Sequence, residues 1–251
     1  DSREGLPLSE KLLPEHLRAA GYATGWIGKW HLGAAPAFRP ERRGFAETYG
    51  FIGGGHRFRD WTENLAVEYQ VPIERGGRPD PIPAHLTPAF GAAAATFIRR
   101  HAAEPWFLYL AFNAPHMPHE PTDERLARFA SIADPVRRKY AAQLSLMDDA
   151  IGDALGALHE TGQAGRTLVF FFSDNGGTKQ GRNLPLKGTK HTIWEGGIHS
   201  PAVVRWPAAK LVGPRKYDGL IGYLDVYPTC MQMAGFPIPN ATDVDGKPCY
   251  Q

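Results

Sequence analysis

The chain has 251 residues, 43% of them hydrophobic and 22% charged, which is the composition of a soluble globular domain with a sizeable core. Its 28 basic residues are scattered among 26 acidic ones, so no basic stripe calls for nucleic acid or an anionic membrane as partner. No apolar run approaches the roughly 20 residues of a membrane helix, and residues 1–20 lack the basic start and apolar centre of a signal peptide.

In chain order, a first helix runs to Gly21, with Pro14 marking where its regular part begins. Residues 23–28 form a short apolar run that reads as a buried strand. Residues 34–86 break this rhythm. They are rich in Gly, Pro and Arg, hold Gly-Gly-Gly-His at 53–56, and read as a long excursion over the sheet edge, of the kind that often faces substrate. Within it His56, Arg57 and Arg59 read as a solvated basic loop, with contact to a carboxylated or sulfated sugar as the alternative. A helix is expected over 87–103 from a Thr87-Pro88 start, then a strand over 106–112.

Over residues 135–160, Val136, Tyr140, Leu144, Met147, Ile151, Leu155 and Leu158 recur at helical steps, with Pro135 suited to the first turn and Gly162 to the end. Two further strands are expected at 167–173 and 202–206. Strands alternating with helices imply one α/β domain with a mostly parallel sheet and helices on both faces, and place active residues just after the strands. Cys230 falls in an apolar helix pattern and reads as core, whereas Cys249 is either an exposed thiol or its chance partner. Neither has the spacing of a zinc site. A glycosylation sequon spans 240–242.

Four strand ends concentrate polar chemistry. The strand at 167–173 runs into Ser-Asp-Asn-Gly-Gly, putting Asp174 and Asn175 side by side as hard oxygen donors suited to Ca²⁺ or Mg²⁺. Lys29 and His31 follow the first strand and, by strand alternation, share one side of it as an anion-binding pair. His116 and His119 lie in a loop stiffened by Pro115 and Pro118, and Lys187 and Lys190 follow the Asp-Asn turn. Singly, each cluster is equally the chemistry of a turn or a solvated loop. Together they supply metal ligands, cations and histidines, as the cleavage of a tetrahedral oxyanion ester requires.

The segment Gly-Tyr-Ala-Thr-Gly-Trp-Ile-Gly-Lys-Trp-His-Leu-Gly at 21–33 resembles the second signature of the type I sulfatases of the alkaline phosphatase superfamily. Ala-Pro-His-Met-Pro at 114–118, Leu-Ser-Leu-Met-Asp-Asp-Ala-Ile-Gly at 144–152, Phe-Phe-Ser-Asp-Asn-Gly-Gly at 171–177 and Pro-Leu-Lys-Gly-Thr-Lys-His-Thr-Ile-Trp-Glu-Gly-Gly at 185–197 resemble sulfatase segments in family order.

The resemblance implies an alkaline phosphatase-like fold and sulfuric ester hydrolysis of a sulfated sugar or aryl ester. It makes Asp174 and Asn175 two ligands of one Ca²⁺, and Lys29 and Lys190 clamps on the sulfate oxygens. His31 would contact a formylglycine hydroxyl, and His116 the ester oxygen, aiding departure of the leaving group. His119, Lys187 and His191 acquire no role. Neither Cys230 nor Cys249 lies in the Cys-X-Pro-X-Arg motif from which formylglycine is made, and the adjacent Asp pair that completes the metal site is missing. Both are expected upstream of residue 1, so that residues 1–251 are the central part of a catalytic domain, truncated at both ends and inactive alone. The family also implies a periplasmic, secreted or lysosomal setting. Two rival readings are a phosphodiesterase or phosphonate hydrolase of the same superfamily, against which Asn175 argues, and a non-catalytic protein that binds sulfated glycans.

Overall fold

A computed structural model of the chain describes residues 5–59, 71–81 and 83–237. Cys249 and the sequon at 240–242 lie outside the described residues. In chain order the elements are α1 Leu13–Ala19, β1 Ala23–Lys29, β2 Glu47–Phe51, β3 Glu74–Arg75, β4 Arg78–Pro79, α2 Leu86–Arg100, β5 Trp106–Ala111, α3 Asp123–Ala127, α4 Pro135–Glu160, β6 Val169–Phe172, α5 Glu195–Ile198, β7 Ala202–Arg205 and α6 Val226–Met233.

The centre is β1, flanked in parallel by β2 and β5, and the five-stranded sheet runs β4-β3-β2-β1-β5. Neighbouring residues of β1 point to opposite faces, and both faces are covered. Ile27 packs with Tyr49, Phe51, Leu86 and Phe90 into a cluster that α2 and α4 close. On the other face Trp26 meets Trp30, Phe45 and Ile52, while Leu13 and Leu17 of α1 pack with Met231 of α6. Each such side chain contributes roughly 1.5–3 kcal/mol on burial. The expected helices on both faces are present. Cys230 is half-buried against the α1–α6 cluster, where burial pushes its thiol up to about 11. Among the described residues no helix is long and apolar enough to cross a membrane.

Three expectations need correction. The excursion over 34–86 is partly core: it supplies β2, β3 and β4 and buries Phe45, Phe51, Phe58 and Ile73. Its strand signal is short and interrupted by Gly50, which is why composition hides it. The strands expected at 167–173 and 202–206 do not join the central sheet, because β6 pairs antiparallel with β7 in a separate two-stranded sheet, while β3 and β4 add an antiparallel edge to the parallel centre.

The third correction concerns α4. Its limits match the expectation, with Asp134 capping Val136 and Arg137 at 2.8 and 3.2 Å and Gly162 turning away at φ 67°. Its buried stripe, however, is Ala142, Gln143, Leu146, Ala150, Ala154, Ala157 and Leu158, while Val136 and Leu144 are exposed. Small residues win because α2 crosses very close: a Cβ on Gly91 would stand 2.8 Å from Ala150 Cα, Cβ and O. Bulky residues do not fit at the crossing itself, and of the expected set Leu158 is buried and Leu155 packs against the core.

Helix α2 begins one residue before the expected Thr87-Pro88 start and is capped by a histidine. His85 Nδ1 accepts from Thr87 N–H at 3.1 Å, so its proton sits on Nε2, which donates to the Glu120 carbonyl at 3.1 Å. The neutral ring satisfies both bonds. Burial holds the His85 pKa below the ordinary histidine value, outweighing the Glu120 carbonyl bond that raises it.

Two outcomes test this packing. Gly91→Ala should destabilise by up to about 2 kcal/mol, because overpacking costs roughly 1–3 kcal/mol against about 1 kcal/mol gained in helix propensity. Gly152→Ala in α4 meets nothing within 4 Å and should stabilise by about 0.5–1 kcal/mol. Denaturant midpoints shifting the same way in both variants would show that packing does not decide the sign.

The cap predicts acid sensitivity. A histidine whose folded pKa lies below its unfolded value of about 6.5 contributes stability that is full above that value and is lost as pH falls below it. Denaturant midpoints measured from pH 8 to 5 should therefore fall more steeply for the parent than for His85→Asn, which keeps a capping oxygen without a titrating ring. Parallel slopes would exclude the cap as the source.

Candidate active site

The C-terminal ends of β1, β2 and β5 meet backbone to backbone. Gly28 stands opposite Ala111 and Gly50, and an added Cβ at Gly28 would lie 2.0 Å from the Ala111 carbonyl oxygen. Past Lys29 the pairing continues, with Trp30 N–H and His31 N–H donating to the Phe51 and Ile52 carbonyls, both at 3.0 Å. Strand alternation, expected to carry Lys29 and His31 together, ends there: His31 takes a left-handed φ of 60°. Its ring lies against Gly54, where a Cβ would be 2.6 Å from His31 Nε2. The glycine stretch is thus a floor for the imidazole.

The loop after β5 carries His116. Asn113, buried at the strand end, accepts from His116 N–H at 2.8 Å and donates from Nδ2 to the His56 carbonyl at 3.4 Å. His116 Nδ1 lies 2.8 Å from the Met117 carbonyl. A carbonyl only accepts, so Nδ1 carries a proton and Nε2 is left as the nitrogen that can exchange one. Beneath the loop, Gln143 of α4 donates from Nε2 to the His116 carbonyl at 3.0 Å and accepts from Glu120 N–H at 2.8 Å. The Glu120 carboxylate takes Phe58 N–H at 2.8 Å and Arg57 Nε at 2.6 Å. His119 packs edge-on against Tyr140, and burial lowers its pKa, with His116 and Lys139 adding to the effect.

These contacts correct the reading of residues 56–59. His56 is 1% exposed, with its ring nitrogens 2.6 and 2.9 Å from the Arg57 and Val71 carbonyls, and Arg57 is tied to Glu120. Residues 56–58 form a buried polar segment because their carbonyls and charges find partners inside, whereas Arg59 is exposed as a solvated loop residue is. Arg57 and His56 are therefore not a solvated basic loop.

The turn after β6 holds Asp174, exposed, and Asn175, half-buried. Asn175 Nδ2 donates to the Gly176 carbonyl at 3.0 Å, and among the described residues its Oδ1 accepts no hydrogen bond. The turn is closed by glycines: Gly176 N–H donates to Gly197 O at 2.9 Å, and a Cβ on Gly176 would be 2.1 Å from Gly196 O. Lys190 joins the same turn through its N–H to the Gly177 carbonyl at 2.9 Å, beside Asn183, whose side chain bonds Gly177 on both sides. Lys187 instead lays its ammonium 3.6 Å from the centre of the Trp194 ring. His191 is exposed with φ 73°.

Tyr109 lies on β5, paired in register with Trp26 of β1. Burial raises its phenol pKa, and the nearby Asp174 carboxylate raises it further. Asp174, Asn175 and Lys190 therefore share one turn, and Lys29, His31 and His116 leave adjacent strand ends. Among the described residues no group of three or more His, Cys, Asp or Glu is placed to hold a metal ion. Sequence reasoning passed over Gln143, Glu120 and Asn113, whose signal, a polar residue in an otherwise apolar pattern, is visible only at Gln143.

Residues 1–236 match the family model described as Sulfatase. The chain is 34% identical over 264 residues to N-acetylgalactosamine-6-sulfatase of Sus scrofa, an alignment covering 96% of this chain and 48% of that protein. It is 33% identical to arylsulfatase A of Bos taurus, covering 98% of this chain and 51% of the other. The crystal structure of Ps i-CgsB superposes with a TM-score of 0.90 at 34% identity, covering 95% of this chain and 56% of that one. The chain spans about half the length of the curated relatives it matches. With the family segments lying at the strand ends and turns described above, and with this extent of match, the chain belongs to the sulfatase family.

Proposed function

We propose that this chain supplies most of the catalytic edge of a sulfuric ester hydrolase acting on a sulfated sugar or an aryl sulfate. The observation that carries the reading is the glycine-closed turn holding Asp174, Asn175 and Lys190 together, with Lys29, His31 and His116 following the ends of β1 and β5. Two lysines would hold the sulfate oxygens where negative charge is borne in the transition state. His116, with Nδ1–H engaged, would in its doubly protonated form pass the Nε2 proton to the ester oxygen as the S–O bond breaks. His31, resting on Gly54, would contact the attacking group.

One Ca²⁺ fits the donors present. Asp174 and the Oδ1 of Asn175 are adjacent hard oxygens, one charged and one neutral, a pair that suits calcium and serves zinc poorly. A calcium shell takes about six to eight oxygens, so this pair would be completed by further oxygen donors. Bound there, the ion would polarise the sulfate and balance its charge. The nucleophile would be a formylglycine, for which neither Cys230 nor Cys249 lies in the required motif. Calcium sites of this type suit a periplasmic, secreted or lysosomal protein.

The full-length protein should turn over an aryl sulfate faster than the matching aryl phosphate. It should lose that activity on chelation and regain it with Ca²⁺. A single divalent ion and two lysines balance a sulfate monoanion better than a phosphate dianion. Two zinc ions per chain with phosphate as the faster substrate would move it to a phosphatase reading, and sulfated-glycan binding without turnover would make it a lectin-like relative.

In the same protein Lys190→Ala should lower kcat/KM by about 10² to 10³, the usual consequence of removing one preorganised charge. Lys187→Ala, which loses only its contact with Trp194, should stay within a few-fold of the parent. Equal losses for the two substitutions would contradict the assignment.

A further inference from the structure

We propose that Gln143 is a positioning residue for His116, a role that rests on the hydrolase reading above. Gln143 is fully buried in the face of α4 that otherwise presents alanines and leucines to α2 and the site loop. A buried carboxamide is costly unless its groups are paired. Here its two ends meet complementary partners on one loop: Nε2 donates to the His116 carbonyl at 3.0 Å, and Oε1 accepts from Glu120 N–H at 2.8 Å. A carbonyl needs a donor and an N–H an acceptor, so the amide has one orientation only.

The clamp therefore spans residues 116–120. It acts on the backbone of His116 itself, whose ring is fixed at Nδ1 by the next carbonyl, that of Met117. Shifting the His116 carbonyl moves both the ring and its hydrogen-bond acceptor. At its other end the clamp sets Glu120, which in turn holds Arg57 and Phe58 N–H next to the glycine floor under His31. Gln143 touches no reacting atom in this arrangement. Its effect passes through His116, whose proton matters most when the departing oxygen is a poor leaving group.

Gln163 serves as a structural counterpart at the far end of β5. It is also buried, and its side chain bonds Trp106 Nε1 at 2.7 Å, Ile98 O at 3.2 Å and Thr161 Oγ1 at 2.9 Å. Its loss should cost stability without reaching the site edge.

The test compares Gln143→Met and Gln163→Met in the full-length protein on two substrates, a nitrophenyl sulfate, whose phenolate leaves without a proton, and a primary alkyl or sugar sulfate, whose alkoxide does not. We expect Gln143→Met to lower kcat about 10- to 100-fold on the alkyl substrate and less than about 5-fold on the nitrophenyl one, with KM little changed. Gln163→Met should affect both equally and slightly despite a comparable fall in Tm. Equal losses on both substrates, or no loss on either, would reduce Gln143 to a packing residue and overturn the proposal. Should Gln143→Met not fold, Gln143→Asn, which keeps the polarity but cannot span both partners, is read in the same way. An unsubstituted protein inert towards both sulfates would remove the hydrolase reading itself, and this role with it.

Discussion

The arrangement depends on a close approach of three backbones. At the C-terminal ends of β1, β2 and β5 no side chain separates the strands: a Cβ on Gly28 would fall 2.0 Å from Ala111 O, and one on Gly50 1.9 Å from Gly28 O. Gly28 also adopts φ 116°, a conformation that side-chain-bearing residues rarely take. Backbone pairing can therefore continue past the strands, through Trp30 and His31, to the point where the polar residues emerge. With Trp26, Trp30 and Phe45 packed beneath one face and Ile27, Tyr49 and Phe90 beneath the other, the edge is rigid where rigidity serves chemistry.

The loops that carry the candidate groups have little regular structure, and buried polar side chains hold them instead. Glu120 joins the loop after β5 to residues 57 and 58, and its own carbonyl and N–H are taken by His85 of the α2 cap and Gln143 of α4. One short segment is thereby tied to two helices and a second loop. In a low-dielectric setting such bonds are strong when complete and costly when one member is lost, so the network specifies a single loop geometry.

The turn after β6 achieves the same end differently. Gly176, Gly196 and Gly197 let backbone meet backbone, so the Asp174-Asn175 pair and Lys190 are held largely by main-chain bonds. This turn stands on the two-stranded sheet, whose Phe171, Phe172, Val203 and Val204 are exposed. Placement of the polar groups is thus local in this half and dependent on long-range contacts in the half built on β1 and β5.

The sequence by itself determined the α/β class, the strands at β1, β5, β6 and β7 and the limits of α4. Those signals are local: apolar runs bounded by Gly, Pro or Asp, a proline in a first helical turn, and contiguous motifs. It could not reveal β2 within the glycine- and arginine-rich excursion, since a short strand interrupted by Gly50 is stabilised by its neighbours rather than by its own propensity. Nor could it identify the buried face of α4. Helical period marks the large apolar residues, and the crossing with Gly91 puts alanines at the closest contact instead. Tertiary structure alone turned His56 and Arg57 inward and set Gln143 under His116, because those placements depend on which distant carbonyl or carboxylate completes a hydrogen bond, and no spacing along the chain encodes that.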